Sequence, residues 1–475
     1  MMEKYNFHFI VGSQDLYGED VLRQVDEHSR IMAEGWNADA AIPCEVVWTS
    51  VVRNSNEIER AITAANADEN CAGIITWMHT FSPSKMWIRG LTKLQKPLLH
   101  INTQFNRGIP WDSIDMDFMN LNQSAHGDRE HGFITARLRL PRTVLAGHWE
   151  DLRLRKRIGD WMRAAVGVYE SRRLRVLRIS DNMREVAVTE GDKVEAHIKF
   201  GWQVDHYGVG DIIQLVEAVT PDEIAAQMKE YSENYEFAAE DIPSIEYQAR
   251  IEIALQKFMK AGGFGAFHTN FQDLQGLRQL PGLAAQDLMR RGYGFAGEGD
   301  WKTAALCRIM KLMAAGLPGG TGFMEDYTYD FELGLNMGAH MLEVCPTFAA
   351  ERPVIRVEPL GIGGREPPAR LTFKAQAGSA ILATIVDMGD RFRMIVNDVE
   401  CVEQPHEMPK LPVAAVLWKP LPDLETSAEA WIRAGGAHHS VLSYGLTAEI
   451  LRHFAEIIEI EFVHIGAGGT SCSRN

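Results

Sequence analysis

The sequence lacks the features that mark secreted, membrane-spanning or nucleotide-binding proteins. Its six cysteines form no CxxC pair, which predicts reduced and buried thiols. The N-terminal residues have no basic segment followed by a long apolar one, and no apolar run approaches the roughly 18 residues of a membrane span. No GxGxxG or Walker loop is present, so a nucleotide site is unsupported. These absences predict a cytoplasmic protein.

Net positive charge is also lacking. The 475 residues carry a formal net charge of -16, which disfavours nucleic acid and anionic membranes as partners. Basic residues do cluster at 153–157 and 172–175, but a solvated helix face explains such runs more readily than a polyanion site. The length suggests about two to four domains.

Short apolar runs alternate with helical patterns through the first two thirds of the chain. This alternation predicts parallel sheets covered by helices, with a helix at Ser82–Leu94 and a domain boundary near residues 170–178. Beyond residue 330 strands follow one another with few helices, starting at His340–Cys345, which predicts an antiparallel sheet or barrel.

Polar loops at the carboxyl ends of parallel strands are candidate binding segments. Residues 12–18 and 79–83 follow predicted strands, and residues 111–132 are rich in Asp, Asn and His without clean periodicity, as in a functional loop. Gln123 and His126 stand out there, because an imidazole can bond sugar hydroxyls or move a proton near neutral pH. The alternative is an exposed loop with a structural histidine.

Two glutamates occupy settings that surface acids rarely have. Glu298 precedes an amphipathic helix beside Asp300, and Glu325 follows that helix beside Asp326. Paired carboxylates of this kind suit metal binding or proton transfer. The alternative is a pair of helix-terminal acids stabilised by the helix dipole and by turn hydrogen bonds.

Histidines supply further candidate ligands. His340 begins a predicted strand, and His438 and His439 follow two glycines that let the backbone approach closely. Two Glu and two His form an oxygen and nitrogen set suited to Mn²⁺, with Co²⁺ or Ni²⁺ as substitutes. No local spacing links the four residues, so their convergence stays open against a reading as buried, hydrogen-bonded side chains.

Eight long motifs, in order along residues 5–460, closely resemble the L-arabinose isomerase family. They are VGSQDLYG at 11–18, HTFSPSKMWIRGL at 79–91, PWDSIDMDFMNLNQSAHG at 110–127, DNMREVAVTEGDKV at 181–194, GYGFAGEGDWKTAAL at 292–306, FMEDYTYDFE at 323–332, HMLEVCP at 340–346 and GGAHHS at 435–440.

The resemblance implies a fold and a set of site residues. The fold would be α/β, with two Rossmann-like doubly wound parallel-sheet domains at 1–174 and 175–322 and a mainly antiparallel β-barrel domain at 323–475. The matching positions would bind Mn²⁺ through Glu298, Glu325, His340 and His439. They would bind substrate through Gln14, Leu16, Tyr17, Phe81, Gln123, His126, Met183, Phe271 and Ile362. They would support the ligands through Asp300, Glu343 and His438.

The resemblance also implies an activity and an assembly. The chain would interconvert L-arabinose and L-ribulose, and D-galactose and D-tagatose more slowly, with Glu298 and Glu325 as acid and base in an enediol-type proton transfer. A hydride shift would use the same ligands. Family members form hexamers or tetramers with active sites between subunits. The rival readings are another isomerase of the fucose-isomerase-like group, a non-catalytic sugar-binding protein and a metal-dependent aldolase.

Overall fold

The fold is that of a computed structural model, which describes residues 2–361 and 364–473. Ile362, expected in the substrate pocket, lies outside the described residues. The chain forms two compact units, the first comprising Met1–Tyr169 with Arg452–Glu459 and the second comprising Glu170–Leu451 with Ile460–Asn475. The domain boundaries predicted at residues 174 and 322 stay predictions.

The first unit contains a five-stranded sheet in which all neighbouring strands are parallel, in the order β2-β1-β3-β4-β5. The elements in this part of the chain are β1 Asn6–Gly12, α1 Gly18–Asn37, β2 Glu45–Val52, α2 Ser55–Ala67, β3 Cys71–Met78, α3 Ile88–Leu91, β4 Leu98–Asn102, α4 Met116–Leu121, α5 Ser124–Arg137, β5 Thr143–Ala146 and α6 Leu152–Ser171. All residues of the central β3 are buried, as expected for a parallel strand covered on both faces. The structure therefore confirms the parallel sheet that was predicted from alternating apolar runs and helical patterns.

Two local predictions in the first unit were wrong. The predicted helix Ser82–Leu94 is a 3-10 turn at Ser84–Trp87 followed by the single turn of α3. The segment 111–132, predicted as a loop, contains α4 and most of α5. The helical pattern of α5 is hidden because polar Asp128 and His131 occupy its buried face.

The second unit begins with a four-stranded parallel sheet in the order β10-β9-β6-β7. Its elements are β6 Arg175–Ile179, α7 Lys193–Phe200, β7 Gln203–Tyr207, α8 Val209–Glu217, α9 Pro221–Asn234, β8 Glu236–Phe237, α10 Ile242–Gly262, β9 Ala266–His268, α11 Gly282–Arg290, β10 Gly294–Ala296 and α12 Trp301–Met313. The helix α12 is buried along almost its whole length and contacts both this sheet and the following one. It therefore connects the two sheets of the second unit.

A mainly antiparallel eight-stranded sheet completes the second unit, in the order β15-β18-β11-β12-β17-β16-β19-β20, and a three-stranded sheet pairs β14 and β8 with β13. The remaining elements are β11 Thr321–Asp330, β12 Leu335–Ala339, β13 Val354–Val357, β14 Ala369–Thr372, β15 Gly378–Asp387, β16 Phe392–Val402, β17 Val416–Pro420, α13 Leu424–Arg433, β18 His439–Ser443, α14 Ala448–Ile457, β19 Glu461–Gly466 and β20 Gly469–Ser473. The predicted change to antiparallel strands is confirmed. The predicted strand at His340–Cys345 was wrong, because the strand there is β12, which ends one residue before His340.

The cysteines are all free thiols, as predicted; five are buried, and Cys472 is exposed on β20. Within residues 2–361 and 364–473, every helix is too short or too polar to cross a membrane.

Candidate metal centre

The strand pairing of the antiparallel sheet places three candidate ligands next to one another. Glu325 lies in the middle of β11, directly opposite His439 on β18 and Ala339 on β12, and His340 follows Ala339 at once. Residues directly opposite each other in an antiparallel pair project their side chains to the same face. Strand pairing therefore places Glu325 beside both histidines, although they are distant in sequence.

The fourth candidate, Glu298, lies on a tight turn between β10 and α12. Its φ of 56° is in the left-handed region, which a non-glycine residue occupies at a cost of about 1–3 kcal/mol. Both neighbours must be glycine: a Cβ on Gly297 would lie 2.7 Å from the His340 ring, and one on Gly299 would lie 2.4 Å from the Cα of Asn182. The turn thus holds the backbone of Glu298 close to His340.

Within two pairs of the candidate ligands, the nearest atoms are close enough to bind a common ion. His439 Nε2 lies 3.9 Å from Glu298 Oε2, and His340 Nε2 lies 3.9 Å from Glu325 Oε2. Metal-ligand bonds of about 2.0–2.2 Å separate two atoms on one ion by roughly 3–4 Å. The two imidazole rings flank Phe323, each with its centroid 5.0 Å from the phenyl centroid. This packing fixes the ring planes.

Each imidazole has its Nδ1 held by a carboxylate. His439 Nδ1 lies 3.2 Å from Asp300 Oδ2, and His340 Nδ1 lies 2.5 Å from Glu343 Oε2. Such contacts make Nδ1 the nitrogen that keeps its proton when Nε2 binds a metal. His439 Nε2 is fully buried and has no hydrogen-bond partner among the described residues. Because a buried polar atom is normally paired, this unpaired nitrogen is suited to bind a cation.

His438, predicted to support the ligands, is itself close enough to Glu298 and His439 to be a candidate ligand. Among the described residues, the group whose ligand atoms all lie within 4.8 Å is Glu298, His438 and His439. His438 Nε2 is 3.4 Å from Glu298 Oε2 and 36% of its side chain is exposed, whereas His439 is fully buried. His438 therefore touches the same carboxylate from the open side.

Charge in this region favours a cation. The hydrogen bond from His438 lowers the pKa of Glu298 against the opposing effect of burial, so Glu298 is ionised. Burial alone would lower the pKa of His340, but the charge and hydrogen bond of Glu343, with Glu325 and Glu298 behind them, raise it to about 9. Three carboxylates thus surround one imidazole, and a divalent ion there would replace the proton that compensates them.

The expected pairing of Glu325 with Asp326 was wrong. Successive residues of a strand point to opposite faces, so Asp326 faces a different cavity, where its Oδ2 accepts a hydrogen bond from Asn336 Nδ2 at 2.8 Å. Burial raises the pKa of Asp326 to about 7. Asp326 therefore does not support Glu325, although the two residues are neighbours in sequence.

A cavity of about 100 Å³ opens beside the candidate ligands. Its wall combines polar and apolar side chains, as a sugar with a hydrophilic edge and an apolar face would need. The lining residues are Thr269, Phe271, Leu274, Leu280, Pro281, Gly297, Glu298, Glu325, Tyr327, His340, Met341, Leu342 and Glu343.

Of the predicted substrate residues in the second unit, Phe271 is in the cavity wall and Met183 is not. The backbone N–H of Met183 instead donates to the carbonyl of Glu298 at 2.9 Å. Tyr327 and Met341 were missed as wall residues. Tyr327 lies where the pairing of β11 with β12 shifts register, between Asp326 and Thr328, so strand alternation alone does not locate its side chain.

Four of the predicted substrate residues form one cluster within the first unit. Gln123 Nε2 donates to the Tyr17 hydroxyl at 3.1 Å, and Gln123 Oε1 lies 3.1 Å from His126 Nδ1. The His126 ring stacks on Phe81 with centroids 4.3 Å apart. Gln14 precedes the turn that carries Tyr17, and Leu16 on that turn is 82% exposed.

Comparison with known proteins accounts for nearly the whole chain. Residues 1–173 match the model of the L-arabinose isomerase N-terminal domain, residues 175–316 that of the central domain, and residues 320–461 that of the C-terminal domain.

Curated relatives are similar over almost their full length. The L-arabinose isomerase of Geobacillus kaustophilus (strain HTA426) is 58% identical, and the alignment covers 98% of this chain and 95% of that one. That of Anoxybacillus flavithermus (strain DSM 21510 / WK1) is 59% identical over 98% and 94%. That of Klebsiella pneumoniae (strain 342) is 54% identical over 98% and 95%.

Proposed function

Because the chain belongs to the L-arabinose isomerase family, we propose that it is a metal-dependent aldose-ketose isomerase that interconverts L-arabinose and L-ribulose. The observation that carries the metal dependence is the buried Nε2 of His439, which has no partner among the described residues and faces Glu298 at 3.9 Å.

The ion would be Mn²⁺, or Co²⁺ as a substitute, held by Glu298, Glu325, His340 and His439. Two carboxylates and two imidazoles suit a divalent ion of this kind. When bound, the ion acts as a Lewis acid that draws electron density from the sugar oxygens on C1 and C2. The carboxylates of Asp300 and Glu343 orient the histidines, and His438 contacts Glu298 from the open side.

The chain's own carboxylates would move the protons. One of Glu298 and Glu325 removes the proton on C2 of the open-chain aldose while the aldehyde oxygen on C1 gains a proton, giving an enediol. The proton then returns to C1 while the hydroxyl on C2 loses its proton, giving the ketose. Both glutamates lie in the wall of one cavity, as this transfer requires.

Isotope labelling distinguishes this route from a hydride shift. In deuterated water, a proton passed through a carboxylate exchanges with solvent, so the L-ribulose formed carries deuterium on C1. A hydride shift keeps the original hydrogen. A single turnover that yields L-ribulose without deuterium on C1 excludes the enediol route.

The Tyr17, Gln123, His126 and Phe81 cluster of the first unit would complete the site of another copy in a homo-oligomer, a hexamer or tetramer. Mixing two inactive variants tests this arrangement. Glu298→Gln damages the second unit and Gln123→Ala damages the first, and an equimolar hybrid regains about one quarter of the sites by random assortment if each site is shared between copies. If every site lies within one chain, the hybrid stays inactive.

We also propose that six strands of the eight-stranded sheet close as a barrel. The strand β15 pairs along its length with β16 as well as with β18, so pairings lead from β15 through β18, β11, β12, β17 and β16 back to β15. Closure would remove the exposed edges that open sheets must protect. If β15 is paired on both sides, we expect its backbone amides to exchange with solvent as slowly as those of β12.

The test of the function is a substrate panel with purified protein and Mn²⁺. Formation of L-ribulose from L-arabinose, with slower D-tagatose from D-galactose, is the expected result. Conversion of a different aldose alone points to the fucose-isomerase-like group. Carbon-carbon cleavage products indicate an aldolase, and sugar binding that survives EDTA without turnover indicates a binding protein.

A further inference from the structure

Lys302 is a buried lysine in an unfavourable place. Its side chain is only 1% exposed, in the first turn of α12, whose other residues are nearly all buried. Lysine is rarely buried to this extent unless it is paired. A cation near a helix N-terminus also opposes the helix dipole. Burial lowers the pKa of Lys302, and the charge of Asp300 raises it in part. An apolar side chain would suit this position better if packing were its purpose.

The ammonium group of Lys302 is engaged by oxygen atoms. It donates to the carbonyl of Thr189 at 2.9 Å and to that of Glu190 at 2.5 Å, and it lies 3.7 Å from Oδ1 of Asp300. Two of its hydrogens therefore have acceptors, and Asp300 is its ion-pair partner. Lys302 thus joins the segment 182–190 to Asp300.

The same Asp300 carboxylate orients His439. It accepts hydrogen bonds from Thr303, from the backbone N–H at 3.1 Å and from the hydroxyl at 2.7 Å, and lies 3.2 Å from His439 Nδ1. The contact with Asp300 occupies Nδ1 of His439, so Nε2 is the ring nitrogen that faces Glu298.

The segment 182–190 reaches Glu298 as well. Asn182 Nδ2 donates to the carbonyl of Thr189 at 2.6 Å, the same carbonyl that Lys302 binds, and to that of Gly299 at 3.2 Å. The N–H of Met183 donates to the carbonyl of Glu298 at 2.9 Å. Lys302 is therefore connected to both Glu298 and His439 without touching either.

We propose that Lys302 is a positioning residue for the metal centre, which holds the Asp300 carboxylate in place against His439 and anchors the segment that holds the Glu298 turn. The inference rests on the proposed function, in that a divalent cation binds Glu298 and His439. Lys302 acts through Asp300 and does not contact the cation. Neither the comparisons nor the resemblance assigns it this role.

Calorimetric titration of the metal-free full-length protein with Mn²⁺ tests the proposal without relying on turnover. Lys302→Met keeps the length of the side chain and removes its charge, and we expect it to weaken Mn²⁺ binding about 10- to 100-fold, as the loss of outer support typically does. Lys311→Met is the matched control. Lys311 is also on α12 and also donates to a backbone carbonyl, that of Thr321, but it has no link to Asp300. We expect Lys311→Met to leave the affinity within about twofold.

A double-mutant cycle separates positioning from a merely structural effect. If Lys302 acts in part through Asp300, then Lys302→Met costs clearly less affinity when added to Asp300→Asn than it costs the wild type, because the contact with Asp300 is already lost and only the anchoring of residues 182–190 remains. The double variant also removes both buried charges together and so remains foldable if Lys302→Met alone is not. The proposal would be overturned if the fold-losses of Mn²⁺ affinity in the two single variants multiplied in the double variant. It would also be overturned if Lys302→Met bound Mn²⁺ as tightly as the wild type.

The failures of the two proposals are distinguishable. A protein that shows the predicted Mn²⁺ affinities but does not convert L-arabinose contradicts the proposed reaction and supports the role of Lys302. A protein that converts L-arabinose, with Mn²⁺ affinity unchanged in Lys302→Met, contradicts the role of Lys302 alone. Wild-type protein that binds no Mn²⁺ overturns both.

Discussion

Nδ1 of His340 lies 2.5 Å from Oε2 of Glu343, and each side chain is only 7% exposed. Glu343 also accepts the backbone N–H of Leu342 at 3.1 Å, so its carboxylate closes a tight turn directly after β12. The turn aims the other ring nitrogen of His340 at Glu325. The contact between His340 and Glu343, three positions apart, thus orients His340 towards Glu325, which is more distant in sequence.

Glu343→Gln tests this contact. The amide keeps the shape and an acceptor but loses the charge, so we expect Mn²⁺ affinity to fall about 10- to 100-fold. The His340 pKa should fall in metal-free protein, because the charge of Glu343 is the main cause that raises it. Calorimetry and histidine NMR measure the two effects. Glu332→Gln, at an exposed position in the β11–β12 connection, is the control. Unchanged affinity in Glu343→Gln would contradict the account.

Replacing the proposed acid and base should abolish most activity. We expect Glu298→Gln and Glu325→Gln each to lower kcat by at least about 10² to 10⁴-fold, the usual contribution of general acid-base catalysis, and further if the ion is lost. Asp326→Asn should retain activity within a few-fold, since Asp326 faces the other side of the strand. Steady-state rates on L-arabinose decide the matter. Loss of activity in Asp326→Asn comparable to that in Glu325→Gln would show that the two acids work together.

The Glu298 turn should tolerate no side chain at Gly299. Its φ is 82°, and a Cβ would lie 2.4 Å from the Cα of Asn182. Gly316 has a φ of 78°, but a Cβ there would meet no atom within 4 Å, so Gly316→Ala isolates the backbone strain, about 1–2 kcal/mol. We expect Gly299→Ala to lower the free energy of unfolding by more than this and to weaken Mn²⁺ binding. The clash would be contradicted if Gly299→Ala lowered the free energy of unfolding no more than Gly316→Ala does and left the Mn²⁺ affinity unchanged.

Buried histidine makes the first unit sensitive to acid. Burial lowers the pKa of His79 from 6.5 to about 3, with help from His28, whose Nδ1 is 2.8 Å from His79 Nε2. The native state therefore resists a proton that the unfolded chain accepts below pH 6.5. The free energy of unfolding should fall as pH drops from about 6.5 towards 3, by about 1.4 kcal/mol per pH unit for each such group.

His79→Phe preserves the stacking of ring 79 on Trp77 and removes the titrating group. Urea unfolding across this pH range should then show a shallower fall than in the wild type. His406→Asn, at an exposed position, should leave the slope unchanged. Identical slopes for the wild type and His79→Phe would contradict the assignment.

Periodicity predicted the fold wherever one face of an element is apolar. It identified the parallel strands and the change to antiparallel pairing, but missed α5, because buried Asp128 and His131 break its apolar stripe. The strand predicted at His340–Cys345 failed for a related reason. Leu342, Val344 and Cys345 are apolar and buried, yet the Glu343 carboxylate bonds within the segment and turns it out of the sheet.

The candidate site was nominated from residue types and from resemblance, not from spacing. Glu298 and His438, 140 positions apart, are neighbours only because β10 leads into α12 and β18 pairs with β11. No local pattern encodes such an approach. Lys302 was missed because a lysine in a helical pattern ordinarily predicts a solvated face, and only its burial reveals otherwise.

The most direct test of the central claim is the rate of L-ribulose formation as Mn²⁺ is added to protein stripped with EDTA. We predict no turnover by the stripped protein and full recovery at one Mn²⁺ per chain, with Glu298→Gln inactive throughout. Undiminished turnover after complete removal of divalent ions would contradict the account, because the glutamates and histidines would then have no ion to share.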